Sequence, residues 1–270
     1  MQNILIPTDF SLNALRAAEY AITIFGNSAN YTLVNCYEVP HSGATMLISI
    51  ADILEKDSLQ LLASERERLI GMYAALGLRI EVKSIMGSPA VAVRKIATEN
   101  DLVVMGTKGA TGLKEVFVGS VASNVLENVP CPVIAIPEIA ANVKPAKILF
   151  AADDKCLSEG ELPERLVGLA KFFEAEVLIL NVVPKGEISH VGNSAENSRK
   201  PTNAFENVKH SFHFIEDEEV NHGIEEFIKN NQVDMLGMIT RRDDLFSRLF
   251  GTSNTKSMMM HTNVPLVAFH

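Results

Sequence analysis

A chain of 270 residues with 47% apolar content has material for two packed cores, which excludes a disordered chain. A formal net charge of −9 excludes a general nucleic-acid binder, since affinity for phosphate backbones comes from clustered Lys and Arg; one local nucleotide pocket built from backbone N–H groups stays open. Three cysteines (Cys36, Cys131, Cys156) without a CxxC pair exclude a disulfide framework and a thiolate metal site; with no bilayer-length apolar run and no basic leader at Met1-Gln2-Asn3-Ile4, the expected setting is cytoplasmic, with no membrane partner.

The first predicted strand is Ile4-Leu5-Ile6, ending at Pro7-Thr8-Asp9. A helix follows with Ser11 as N-cap. Leu12, Leu15, Ala18, Ile22 and Phe25 share one face at helical spacing, and Gly26 takes the C′ position. Thr32-Leu33-Val34-Asn35-Cys36 forms a second strand, and 42–76 carries mostly helical spacing, with surface loops expected near 42–53. Leu78, Ile80 and Val82 alternate with Arg79, Glu81 and Lys83, the pattern of a strand with one wetter face. Ser88-Pro89 reads as an N-cap and a proline at N1, opening a helix through Val93, Ile96 and Ala97. Leu102-Val103-Val104-Met105 and Val133-Ile134-Ala135-Ile136 are fully apolar strands with a helix from Ser120 to Asn128 between them. Strands alternating with helices predict a parallel sheet covered on both faces, its fifth strand completing a domain near Ile136.

The pattern then restarts. Lys147-Ile148-Leu149-Phe150-Ala151-Ala152-Asp153 echoes Asn3-Ile4-Leu5-Ile6-Pro7-Thr8-Asp9, and 176–182 echoes the second strand. Val233-Asp234-Met235-Leu236-Gly237-Met238 echoes 100–105, and 263–269 echoes 130–136. Four matches in one order predict an internal duplication: domains at 1–137 and 147–270 joined by a linker at 138–146. The polar stretch 185–203 reads as a loop in place of the first copy's long helical segment.

The residues that carry chemistry follow the strand ending at Met105: Gly106-Thr107-Lys108-Gly109, then nine residues, then Gly119-Ser120 at a helix start. This is neither a Walker A loop nor GxGxxG, yet the physics is related. Glycines let backbone approach phosphates, a helix N-terminus presents unpaired N–H groups with partial positive charge, and Lys108 adds a formal charge. In an open parallel sheet the ligand is expected at the carboxyl ends of the strands, where Pro7-Thr8-Asp9 and Gly106 both fall.

The spacing Gly-x2-Gly-x9-Gly-Ser after an apolar strand, with Ile-Pro-Thr-Asp-Phe-Ser at 6–11, resembles the ATP-binding branch of the universal stress protein family. The likeness runs over nearly all of 1–137 and more weakly over 147–270. It implies two tandem Rossmann-like (adenine nucleotide alpha hydrolase-like) α/β domains, each a five-stranded parallel sheet of order 3-2-1-4-5 flanked by helices. It implies also that the domains pair through their last strands as an intrachain pseudo-dimer, with association of two chains into a homodimer left open. Carried over by motif, Pro7, Thr8 and Asp9 would line adenine and ribose, and Cys36 matches a position packed beside adenine. Met105, Gly106, Lys108 and Gly109 would wrap ribose and phosphates, and Gly119, Ser120 and Val121 would hold the phosphate tail. The implied cofactor is ATP, with Mg²⁺ often accompanying it.

The second copy departs from this motif. Counting back from Gly251-Thr252 puts Met238 and Arg241 at the two earlier glycine positions; counting forward from the strand puts Ile239 and Arg242 there. Neither register supplies a glycine, so no ATP is expected in this domain. Arg241-Arg242-Asp243-Asp244 reads as a self-neutralising loop, Met258-Met259-Met260 as helix core plus surface, and His210 and His213 as strand residues on opposite faces, unsuited to one metal. No nucleophile–base pairing and no carboxylate pair is evident, so binding with little or no hydrolysis is the leading reading, in a regulatory role. A slow ATPase or nucleotidyl-transfer enzyme, and a nucleotide-free scaffold or small-ligand-binding pseudo-dimer, are the alternatives.

Overall fold

The computed structural model describes residues 2–39, 44–97, 102–107, 120–153, 156, 164–183, 185, 205, 207–240 and 263–270. The chain divides into two compact units, Met1–Val143 and Lys144–His270. In the first unit the elements run β1 (Gln2–Pro7), α1 (Leu12–Phe25), β2 (Ala29–Tyr37), α2 (Ala44–Met72), β3 (Arg79–Met86), α3 (Pro89–Ile96), β4 (Leu102–Gly106), α4 (Ser120–Asn128) and β5 (Val133–Ile136). The strands lie in the order β3-β2-β1-β4-β5, each pair of neighbours parallel. Ile4, Leu5, Ile6, Leu102, Val103 and Val104 are fully buried, as central strands covered on both faces must be.

Helix α1 starts where Ser11 Oγ accepts from Ala14 N at 3.3 Å, and it ends at Gly26, whose φ of 54° closes the last turn. Its buried face is centred on Ala14, Ala17 and Ala21, small side chains that let the helix lie close to the sheet. That centring turns Leu12 to the opposite side, where it is 59% exposed and does not join the apolar face expected for it. Close packing reaches its limit at β4. A Cβ built on Gly106 would stand 2.8 Å from Asn13 Nδ2 and 3.0 Å from the Asn13 carbonyl oxygen. Helix-on-strand packing therefore favours glycine at 106, whatever else that residue does.

Helix α2 takes in residues 44–53, so the surface loops expected near 42–53 are helix from Ala44 onward. Ser58, Leu62, Glu65 and Leu69 recur at helical spacing and are all buried, so half of this inward stripe is polar. Arg68 answers the Glu65 carboxylate with two hydrogen bonds of 2.7 and 2.8 Å and reaches Glu19 of α1 at 2.7 Å, which ties α1 to α2. Ser88 holds the N-cap position of α3, but its hydroxyl makes no capping bond there; Pro89 opens the helix as expected.

The second unit contains β6 (Lys147–Ala151), α5 (Glu164–Phe173), β7 (Glu176–Val183), β8 (His210–Glu216), α6 (Val220–Asn231), β9 (Met235–Ile239) and β10 (Leu266–Phe269). Its order is β8-β7-β6-β9-β10, again parallel throughout. The duplication extends to individual hydrogen bonds. Thr8 N donates to Val34 O at 2.8 Å, and Ala152 N to Leu180 O at 2.9 Å. Thr107 N donates to Ile136 O at 3.1 Å, and Thr240 N to Phe269 O at 2.8 Å. This last pair chooses between the two registers left open by counting: Ile239 stands where Gly106 stands. Residues 186–203 of the polar stretch, Arg241 to Asp244 and Met258 to Met260 lie outside the described residues.

His210 and His213 on β8 belong to different clusters. The His210 ring lies 4.9 Å from Phe205, while the His213 ring lies 4.9 Å from Phe227 of α6, with Nε2 2.8 Å from Ser211 Oγ. Burial against Phe227 pushes the His213 pKa below its ordinary value, with Glu176 opposing. A depressed histidine leaves stability intact above the unfolded-state pKa of about 6.5 and erodes it as pH falls below, because only the unfolded chain then takes the proton.

Two outcomes are expected. Gly106→Ala destabilises the N-terminal unit by about 1–3 kcal/mol, measured by chemical denaturation, since the Asn13 backbone cannot give way as a flexible side chain would. The denaturation midpoint of the C-terminal unit drops between pH 7.5 and 5.5, and His213→Leu removes part of that drop; identical pH dependence in both proteins would contradict the assignment.

Candidate functional site

The candidate site follows from strand order. The chain leaves β3, passes over β1 and enters β4, so β1 and β4 lie side by side although 94 residues separate Pro7 from Leu102. Ile4 pairs with Leu102 and Leu5 with Val103, in parallel. Their carboxyl ends, Pro7 to Asp9 and Gly106 to Thr107, thus emerge together at the point where the winding reverses, where open parallel sheets hold ligands. On the other side of β1, Pro7 pairs with Val34 of β2, which brings the Cys36 end of β2 to the same rim.

The segment after β1 is held tightly. Thr8 is buried, its Oγ1 accepts from Phe10 N at 3.0 Å, and its carbonyl accepts from Asn35 Nδ2 at 2.8 Å. Asp9 is exposed and its Oδ1 accepts from Ser11 N at 3.0 Å, so Asp9 shapes the turn while Ser11 caps the helix. Between them Phe10 has φ of 62°, a left-handed conformation that non-glycine residues adopt only where neighbours enforce it.

Cys36 is half-buried, and burial pushes its thiol up to about 11. It is protonated at neutral pH and offers packing, not nucleophilic chemistry. Met105 is 5% exposed, so its side chain belongs to the core. Ser120 opens α4 and Val121, the next residue, is exposed; the first turn of α4 carries no acidic residue to oppose an anion. Lys108, Gly109 and Gly119 lie outside the described residues.

Two residues were missed by reading the sequence, Asn35 and Asn13. A signal existed for the first: an asparagine inside an apolar strand, repeated as Asn181 in the second copy, where Nδ2 donates to Ala152 O at 3.1 Å. For Asn13 no signal existed, because only the approach of α1 to Gly106 gives it a place at the rim.

The second unit presents the same rim with different chemistry. Ala151 and Ala152 are buried and lack the Thr8 hydroxyl, Asp153 Oδ1 accepts from Cys156 N at 2.7 Å, and Ile239 fills the Gly106 position. Elsewhere in the N-terminal unit a cavity of about 450 Å³ is lined by Arg16, Glu19, Tyr20 and residues 136–140 and 142. Arg16 there donates to the Glu138 carbonyl at 2.6 Å, and none of the motif residues lines it. Among the described residues there is no disulfide, no group of three His, Cys, Asp or Glu side chains placed to hold a metal ion, and no helix long and apolar enough to cross a membrane.

Comparison with known proteins agrees with this architecture. The model of the universal stress protein family matches residues 1–137 and again 145–270. A universal stress protein of Methanocaldococcus jannaschii is 33% identical over 144 residues, covering 50% of this chain and 81% of the relative. One of Bacillus subtilis is 28% identical over 140 residues, covering 48% and 92%. The crystal structure of a universal stress protein from Archaeoglobus fulgidus superposes with a TM-score of 0.68 at 18% identity, covering 99% of this chain and 96% of the other, a likeness of fold. The chain belongs to the universal stress protein family, as a tandem of two such domains.

Proposed function

We propose that the N-terminal unit binds one ATP at the β1/β4 rim, that hydrolysis is slow or absent, and that the bound state serves regulation in a stress response. The observation that carries this reading is the meeting of Pro7, Thr8 and Asp9 with Gly106 at the reversal point of a parallel sheet. Thr8 and Asp9 would meet the adenine and ribose, Cys36 the adenine, and the backbone at Met105 and Gly106 the ribose. Lys108, Gly109, Gly119, Ser120 and Val121 would follow the phosphates toward the N-terminus of α4. Mg²⁺ would travel on the phosphates, since no protein cluster among the described residues is built to hold it. The C-terminal unit, with Ala151, Ala152 and Ile239 at the matching positions, would hold no nucleotide.

Calorimetric titration of the nucleotide-free full chain with Mg·ATP tests this. One ATP per chain is expected, with binding lost in Gly109→Val and weakened roughly tenfold in Asp9→Ala, the scale of one polar contact to a ligand. Gly109 is the better probe than Gly106, whose substitution disturbs packing directly. Two ATP per chain would contradict the assignment of the C-terminal unit, and no binding would remove the site. ATP turnover abolished by substituting Lys108 or Asp9 would replace a binding protein with an enzyme.

A further inference from the structure

A line of buried polar groups runs from the candidate site into the middle of α2. Asn35 of β2 and Ser84 of β3 are paired residues on neighbouring strands, and Ser58 of α2, 4% exposed, bonds to both of them. Ser84 Oγ donates to Ser58 Oγ at 2.7 Å, Ser58 Oγ donates to Asn35 Oδ1 at 2.8 Å, and Asn35 Nδ2 donates to the Thr8 carbonyl at 2.8 Å.

The order of donors matters. The hydroxyl proton of Ser58 is spent on the Asn35 oxygen, and the amide N–H₂ faces Thr8; the flipped amide would set its oxygen against the Thr8 carbonyl oxygen. The Thr8 carbonyl, which can only accept, fixes that orientation, and Ser58 supplies the donor that the buried Asn35 oxygen then needs. That loop needs holding, because Phe10 sits in a conformation its neighbours must enforce.

The duplicated unit serves as an internal comparison. It keeps the tether, Asn181 Nδ2 to Ala152 O, but Phe214 pairs with Asn181 where Ser84 pairs with Asn35. A phenyl ring donates no hydrogen bond. The asparagine tether is therefore common to both units, while the hydroxyl that Ser84 supplies beside Asn35 has no counterpart at Phe214.

We propose that Ser84, Ser58 and Asn35 form a positioning relay that preorganises the Thr8–Asp9 segment for its nucleotide and couples occupancy of the site to α2. This rests on the nucleotide reading above. A ligand that engages Thr8 and Asp9 stiffens the segment they occupy, and the relay carries that restraint to Ser58, midway along the helix. Helix α2 carries exposed Ile53, Leu59 and Leu61 nearby, so a change in its order would be presented at the surface.

The test compares the full chain with Ser58→Ala, Ser58→Thr and Leu69→Ala, the last truncating a fully buried α2 side chain outside the relay. Mg·ATP affinity is read by calorimetry, and hydrogen exchange of α2 is read with and without ATP. The expected result is about tenfold weaker ATP binding in Ser58→Ala, with loss of the ATP-dependent protection of α2. Ser58→Thr, which keeps the hydroxyl, restores both, and Leu69→Ala lowers stability while the folded protein binds ATP as before. Unchanged affinity and protection in Ser58→Ala, or an equal affinity loss in Leu69→Ala, would overturn the relay. Absence of ATP binding in the unsubstituted chain would overturn the nucleotide reading and the coupling with it. Exchange at the Phe10 and Ser11 amides of ligand-free Ser58→Ala separates the remaining part: faster exchange supports the positioning role, and unchanged exchange overturns that too.

Discussion

The parallel pairing of β1 with β4 is the constraint on which the N-terminal unit depends. Two strands separated by most of a domain are held side by side by backbone hydrogen bonds and by fully buried Ile4, Leu5, Val103 and Val104. Because right-handed crossovers send the chain to one side of β1 first and to the other afterwards, the loops following β1 and β4 diverge and leave a crevice. Remove that adjacency and the Thr8–Asp9 segment and Gly106 have no reason to meet. The close approach of α1 serves the same geometry: Asn13 lies so near β4 that a Cβ at position 106 would crowd its side chain and carbonyl.

Polar groups inside the layer between α2 and the sheet carry information that an apolar layer could not. A buried carboxylate such as Glu65 is tolerable only with its charge answered, and Arg68 answers it while reaching Glu19 on a second helix. The serines and Asn35 likewise must satisfy one another, which makes their arrangement specific to one register of helix on sheet. Slippage of α2 by one residue would leave several of these groups without partners at once. Leucines alone would tolerate such a slip far better.

The two units show which parts of the design are structural and which are not. Strand order, the bonds closing the ends of β1 and β4, and the asparagine tether recur in both. The Thr8 hydroxyl, the side-chain-free position at 106 and the Ser84–Ser58 pair belong to the first unit, and their counterparts are Ala152, Ile239 and, at Ser84, Phe214. Divergence has thus concentrated at the rim and spared the framework that generates it. A fold that persists while the residues at its rim change is held by burial, which is indifferent to the chemistry at the ends of the strands.

Much was determined by the sequence alone. Continuous apolar runs at 102–105 and 133–136, helical spacing after Ser11, and the echo of 3–9 at 147–153 read out as parallel strands, a capped helix and a duplicated α/β unit, because burial and periodicity act locally along the chain. The Gly-x2-Gly-x9-Gly-Ser motif pointed to a candidate rim by its chemistry and its likeness to a family, and its middle, 108–119, lies outside the described residues. Tertiary structure alone decided which face of α1 turned inward, leaving Leu12 outside, and placed Asn13 against Gly106. It also chose Ile239 over Met238 as the counterpart of Gly106 in the second unit, and joined Ser58, Ser84 and Asn35 to Thr8. Those facts concern residues far apart in the chain whose contacts depend on strand order and helix rotation. Local spacing can require that a buried asparagine find a partner, but only the packed structure supplies the partner.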